Sequence, residues 1–182
     1  MEALRVLGID PGTRVVGWGV LEGDGGGEPA YVGSGVLELG RSSAALPDRL
    51  LRLRHGLLEL IEMHRPDLLA LESAFFGKNA RSALRLGEAR GTVIVTSCEL
   101  KVTLRELAPA LVKRRVAGAG AATKEQVARL VKLRLPGTGD FGSEDESDAL
   151  AVALCAWLEE QETHLRNGQD AAAAAAGRVS EQ

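Results

Sequence analysis

Residues 4–22, LRVLGIDPGTRVVGWGVLE, carry two strand signatures in succession. The apolar run LRVLGID at 4–10 has the length of a strand, ends on Asp10 and meets the turn dipeptide Pro11-Gly12. It reads as a buried strand closed by an acid. VVGWGVLE at 15–22 alternates and reads as a second strand. The glycine-rich GDGGGEP at 23–29 is a turn, so a hairpin leads into a third strand at 30–39.

Downstream the period changes. Leu46, Leu50, Leu53, Leu57, Leu58 and Ile61 recur at three- and four-residue spacing, which predicts an amphipathic helix over 46–64, stopped by Pro66. DLLALE at 67–72 is another buried strand, again ending on an acid, Glu72. A helix is expected over 79–97, a strand over 100–107 and a helix from Thr123 to Leu135 after the Gly118-Ala119-Gly120 loop. PGTGDFG at 136–142 is a loop, and Ser143 with Glu146 forms a capping-box pattern opening a helix to about residue 163. Polar residues and an alanine run from His164 suggest a frayed tail. Three strands followed by alternating helix and strand define an α/β domain with a mixed central sheet flanked by helices. Without an internal repeat or a long linker, residues 1–163 are expected to form one domain and 164–182 a disordered tail.

The 182 residues suffice for a proper core, and 45% hydrophobic with 26% charged residues is an ordinary soluble composition. The formal net charge of −3 hides an asymmetry. Residues 101–134 hold nine Lys/Arg against two Asp/Glu, a net of +7, whereas 135–182 hold two against ten, a net of −8. The basic middle keeps nucleic acid open as a partner. Cys98 and Cys155 form no C-x-x-C pair, and three scattered histidines make no zinc pattern, so a reducing compartment and free thiols are expected. No charged-then-apolar leader precedes LRVLGID, and the longest uncharged apolar run, ALAVALCAWL, has ten residues, too short to span a bilayer. The expectation is a cytoplasmic protein without a membrane partner.

The residues most able to carry chemistry are acids at element ends. Asp10 and Glu72 close strands, and Asp145 and Asp148 lie three apart in the first turns of the last helix, on one face. If the two strands are neighbours, Asp10 and Glu72 come together, and carboxylates that close cannot all stay ionised without a cation. Oxygen donors at strand ends and a helix start suit Mg²⁺, and two such ions would clamp the attacking and leaving oxygens of a phosphodiester. Each acid also has a plain structural reading: turn chemistry for Asp10, a sheet edge for Glu72, dipole complementation for the helical pair. GAGAATKEQ at 118–126 lacks the G-x-x-x-x-G-K-[ST] spacing, which rules out a Walker site. Lys113, Arg114, Arg115 and Lys124 could contact phosphate or form a solvated face. Phe75 and Phe76, between Glu72 and Gly77-Lys78, could be core, or rings that stack on a base.

LGIDPGTRVVGWGV at 7–20, ALESAFFGKNARSALRLGEARG at 70–91 and DESDALAVAL at 145–154 together resemble the RuvC family of Holliday junction resolvases. The first stretch alone is also similar to YqgF-type nucleases and to the first phosphate motif of actin-like ATPases; the middle stretch is the specific one. The resemblance implies a ribonuclease H-like fold and a homodimer that nicks two opposed strands of four-way junction DNA in recombination and repair. It assigns metal-binding and catalytic roles to Asp10, Glu72, Asp145 and Asp148, with Glu144 beside Asp145 as the alternative fourth donor. Lys113 and Lys124 match family lysines linked to DNA and the scissile phosphate, Lys124 being also catalytic. Phe75 would distort or stack at the junction centre with Lys78 nearby, and the helix after Asn79 would lie in the dimer interface. The expected chemistry is hydrolysis with two Mg²⁺ ions, or Mn²⁺ in their place, leaving 5′-phosphate and 3′-hydroxyl ends, with a RuvA-RuvB type branch-migration complex as a further partner. A YqgF-like RNA-processing nuclease and a non-catalytic DNA-binding module are the rival readings. Full actin-like architecture needs two related halves, and 182 residues supply one.

Overall fold

The computed structural model describes residues 3–24, 27–41, 43–73 and 80–179, with side chains to residue 167. Five strands form one sheet in the order β3-β2-β1-β4-β5. Strands β1 (Leu4–Asp10), β2 (Val15–Gly23) and β3 (Ala30–Glu38) make the antiparallel meander expected from the opening residues. β4 (Leu68–Glu72) adds parallel to β1, and β5 (Thr103–Leu107) parallel to β4, so the sheet is mixed.

Side chains alternate across the sheet, and the core divides accordingly. Leu7, Ile9, Leu69 and Leu71 point to one face, where they pack with Leu53, Leu57, Leu60 and Ile61 of α1 (Leu46–His64) and Ala89 and Val93 of α2 (Ala80–Glu99). Val6, Leu68 and Ala70 point to the other, beneath α3 (Pro109–Ala117), α4 (Lys124–Arg134) and α5 (Glu144–Val179). Burying both faces explains why the middle of β1, Val6–Ile9, and of β4, Leu68–Leu71, read as continuous apolar runs rather than alternating ones.

Glycine brings α5 close to this second face. A methyl group added at Gly8 would lie 2.2 Å from the Ala149 carbonyl oxygen, and one at Gly17 would lie 1.9 Å from that of Asp145. At Gly19 it would strike Leu150 at 2.6 Å. Gly8 and Gly19 are paired across β1 and β2, and Gly17 pairs with Asp10, so the helix backbone rests on a strip of sheet free of side chains.

Three elements depart most from the sequence expectation. α3 was not foreseen: Pro109 occupies its first turn and Gly118 caps its end at φ 76°, the usual arrangement of proline inside a helix start and glycine past its end. β5 begins at Thr103, because Lys101, at φ 57°, makes a tight turn out of α2. The last helix extends to Val179 instead of ending near 163, in keeping with the high helix propensity of its alanine run. Among the described residues no helix is long and apolar enough to cross a membrane.

Candidate active site

The parallel register of β1 and β4 pairs Ile9 with Leu71, so one further step brings Asp10 beside Glu72 at the same edge of the sheet. Both are two residues on from positions facing α3–α5, and both turn to that face. The glycine strip sets the other half of the site. With the Asp145 carbonyl seated over Gly17, the partner of Asp10, the opening turn of α5 comes down beside the strand ends. Ser143 fixes that turn by accepting the Glu146 backbone N–H at 3.2 Å. The Glu146 carboxylate accepts from Ser34 at 2.6 Å and from the Gly142 N–H at 2.7 Å, tying the helix start to β3. Glu146 is therefore a structural acid among functional candidates.

Asp10, Glu72 and Asp148 line a cavity of about 220 Å³ together with Lys113, Lys124 and Val112. Burial pushes the Asp10 carboxyl up to about 7, helped by the charges of Glu72, Asp148 and Asp145 and opposed by Lys124. Glu72 is raised for the same reasons, burial first and then Asp148, against Lys124, Lys113 and Arg90. Lys124 Nζ donates to Asp148 Oδ2 at 2.6 Å, and this bond more than any other effect raises the lysine's own pKa. The cavity is thus short of positive charge, with one lysine as its nearest compensation.

That donor chemistry fits a hard divalent cation: the acids are all oxygen donors, crowded enough to resist ionising together. No three His, Cys, Asp or Glu side chains among the described residues are gathered closely enough to hold an ion as they stand. Asp148 is instead turned to Lys124.

Of the four sequence-proposed acids, three line the cavity, and Asp145 acts on Asp10 from beside it. Glu144 is exposed and is felt by Lys124 rather than by Asp10. Lys113 and Lys124 reach the cavity from α3 and from the start of α4, where Thr123 and Gln126 form a reciprocal capping box. Arg115 is turned away and pairs with Glu159 and Glu162 of α5, whereas Arg114 is exposed. Phe75 and Lys78 lie outside the described residues. Arg90 carries a role that no motif in the sequence signals. This arginine is 8% exposed and donates to the Glu72 carbonyl oxygen and to the Glu106 carboxylate. Arginine on an amphipathic helix gives no sign in sequence of pointing inward.

The family model for the crossover junction endodeoxyribonuclease RuvC matches residues 6–156. The chain belongs to the RuvC family. The curated RuvC of Ruegeria pomeroyi is 43% identical over 152 residues, covering 84% of this chain and 90% of that protein. The RuvC of Dehalococcoides mccartyi is 41% identical, with 84% and 91% covered. Among solved structures, Thermus thermophilus RuvC in complex with a Holliday junction substrate matches with a TM-score of 0.80 at 31% identity, covering 88% of this chain and 97% of that one. The mixed sheet flanked by helices is therefore the ribonuclease H-like fold of RuvC, as the family resemblance implied.

Proposed function

We propose that this chain is a structure-selective endodeoxyribonuclease that resolves Holliday junctions in DNA recombination and repair by metal-dependent hydrolysis. The observation that carries the reading is one cavity in which Asp10, Glu72 and Asp148, drawn from two adjacent parallel strands and a helix start, face Lys113 and Lys124. Carboxylates in want of a cation beside lysines in reach of phosphate suit phosphodiester hydrolysis better than either group suits a plain binding surface.

Asp10, Glu72, Asp148 and Asp145 would hold the metal, for which we propose two Mg²⁺ ions, with Mn²⁺ serving in their place. Asp145 is the better fourth donor than Glu144, because it acts on Asp10 from the turn seated over Gly17. When bound, the ions supply Lewis-acid activation of water and charge neutralisation at the phosphate. Lys124 shares Asp148 before substrate arrives and meets the scissile phosphate once released. Lys113, from the neighbouring helix, steers the backbone into the cavity. Phe75 and Lys78 contact the DNA near the junction centre. Cleavage leaves 5′-phosphate and 3′-hydroxyl ends.

A four-way junction offers two opposed strands, and a homodimer offers two sites. Leu84 and Val95 on α2 are 67% and 56% exposed, and Gly87 and Gly91 have open space above them. Spaced at three and four residues, these four positions form a stripe suited to a second copy of α2. Residues 1–163 act as one catalytic domain, in the cytoplasm and with a RuvA-RuvB type branch-migration complex. The test is incubation of the purified protein with a synthetic four-way junction, with and without Mg²⁺. Paired nicks in opposed strands that need the metal are expected. Uncut junction, or cleavage of a precursor RNA in its stead, would overturn the reading.

A further inference from the structure

The end of β4 is held from behind. Arg90 lies on α2, on the face of the sheet opposite the cavity, yet its guanidinium reaches the strand end and donates one Nη to the backbone carbonyl of Glu72. Its other Nη donates to Glu106 on β5, the residue paired with Leu71. The arginine is almost fully buried, so this charge depends on Glu106 for its partner. The Ser73 N–H donates to the Leu107 carbonyl at 2.7 Å, a second tie between β4 and β5 at this level. The carbonyl and carboxyl of Glu72 share one Cα, so a clamp on the first fixes the origin of the second.

We infer that Arg90 is a positioning residue for the cavity: held by Glu106, it fixes the Glu72 backbone so that the Glu72 carboxylate is presented to the cavity that Asp10 and Asp148 also line. Only arginine supplies two parallel donors in a planar fork, which is what bridging a carbonyl and a carboxylate on adjacent strands requires. The inference rests on the function proposed above and adds a residue that touches neither DNA nor metal.

Three variants test it: Arg90→Met, Arg90→Lys, and Glu106→Gln, which keeps the arginine and weakens its anchor. Mn²⁺ binding to the DNA-free protein is measured by calorimetry, alongside single-turnover nicking and junction affinity in EDTA. Arg90→Met should weaken Mn²⁺ binding and slow nicking by about 10- to 100-fold each, the usual effect of removing a group that orients a metal ligand. Junction affinity in EDTA should stay within about twofold. Arg90→Lys should recover part of the loss, and Glu106→Gln should show a smaller loss of the same sign. Wild-type Mn²⁺ affinity in Arg90→Met would overturn the inference. If that variant does not fold, unchanged Mn²⁺ affinity in Glu106→Gln overturns it equally. Should the wild-type protein leave junctions uncut, the function reading fails, and the Mn²⁺ titrations still judge Arg90.

Discussion

Gly17→Ala puts the seat of α5 to a quantitative test. The added methyl would lie 1.9 Å from the Asp145 carbonyl oxygen, whereas contacts under 3.0 Å are essentially never seen. Reaching 3.0 Å requires the start of α5 to move by 3.0 minus 1.9, about 1 Å, because backbone stands on both sides. Overpacking of this kind costs about 1–3 kcal/mol, which a domain of this size can survive. The chemistry is more sensitive. Asp145 and Asp148 ride on the turn that moves, while Asp10 and Glu72 stay on the sheet, and a 1 Å misplacement of reacting groups can cost on the order of 100-fold in rate. The expected result is a folded protein, melting a few degrees lower, that binds junction DNA normally and nicks it about 100-fold more slowly under single-turnover conditions. Wild-type nicking by a folded Gly17→Ala protein would refute the claim that glycine at this position sets the site.

Asp10→Asn, Glu72→Gln and Asp148→Asn should each abolish junction nicking while retaining binding, read on the same gel. Asp10 adds a pH signature. Its folded pKa of about 7 lies above the ordinary 3.8, so the wild-type protein loses stability as pH rises between those values. About three units at about 1.4 kcal/mol each set a ceiling of roughly 4 kcal/mol. Metal-free Asp10→Asn should melt above wild type at pH 8 and level with it below about pH 4, as thermal melts against pH will show. Lys113→Ala should reduce the slope of log affinity against log salt by about one unit, and Lys124→Ala, whose ammonium is already paired with Asp148, by less; an unchanged slope in Lys113→Ala would place that lysine on a solvated face. Gly87→Arg on α2 should convert a species of twice the chain mass into a monomer in sedimentation, and a wild-type profile would remove α2 from the interface.

Several strands were legible because apolar runs and turn residues act locally: those at 4–10, 15–22 and 67–72 are all present, within a residue at their ends. Asp10 and Glu72 could be paired conditionally, since strand adjacency is a tertiary fact and their position at strand ends is not. The short helix at 109–117 went unread because its single turn of apolar contacts, Val112 and Val116, is masked by three consecutive basic residues. The glycines of LGID and GWG could be recognised as strand residues but not as a seat for α5, because the partner lies more than a hundred residues away. Arg90 was invisible for a similar reason: its two acceptors come from two strands, β4 and β5, distant from its own helix in sequence.

The ion pairs on the α5 side have a consequence for how the molecule searches DNA. Arg105 is tied to Glu160, Arg115 to Glu159 and Glu162, and Arg134 to Glu28, so much of the basic middle is already neutralised by the chain's own acids. A tethered guanidinium has few counterions to release when a phosphate arrives and gives up one bond to make another. Plain duplex should therefore gain little from touching this surface. A substrate whose shape delivers several phosphates at once to Lys113 and Lys124 at the cavity should be held longer.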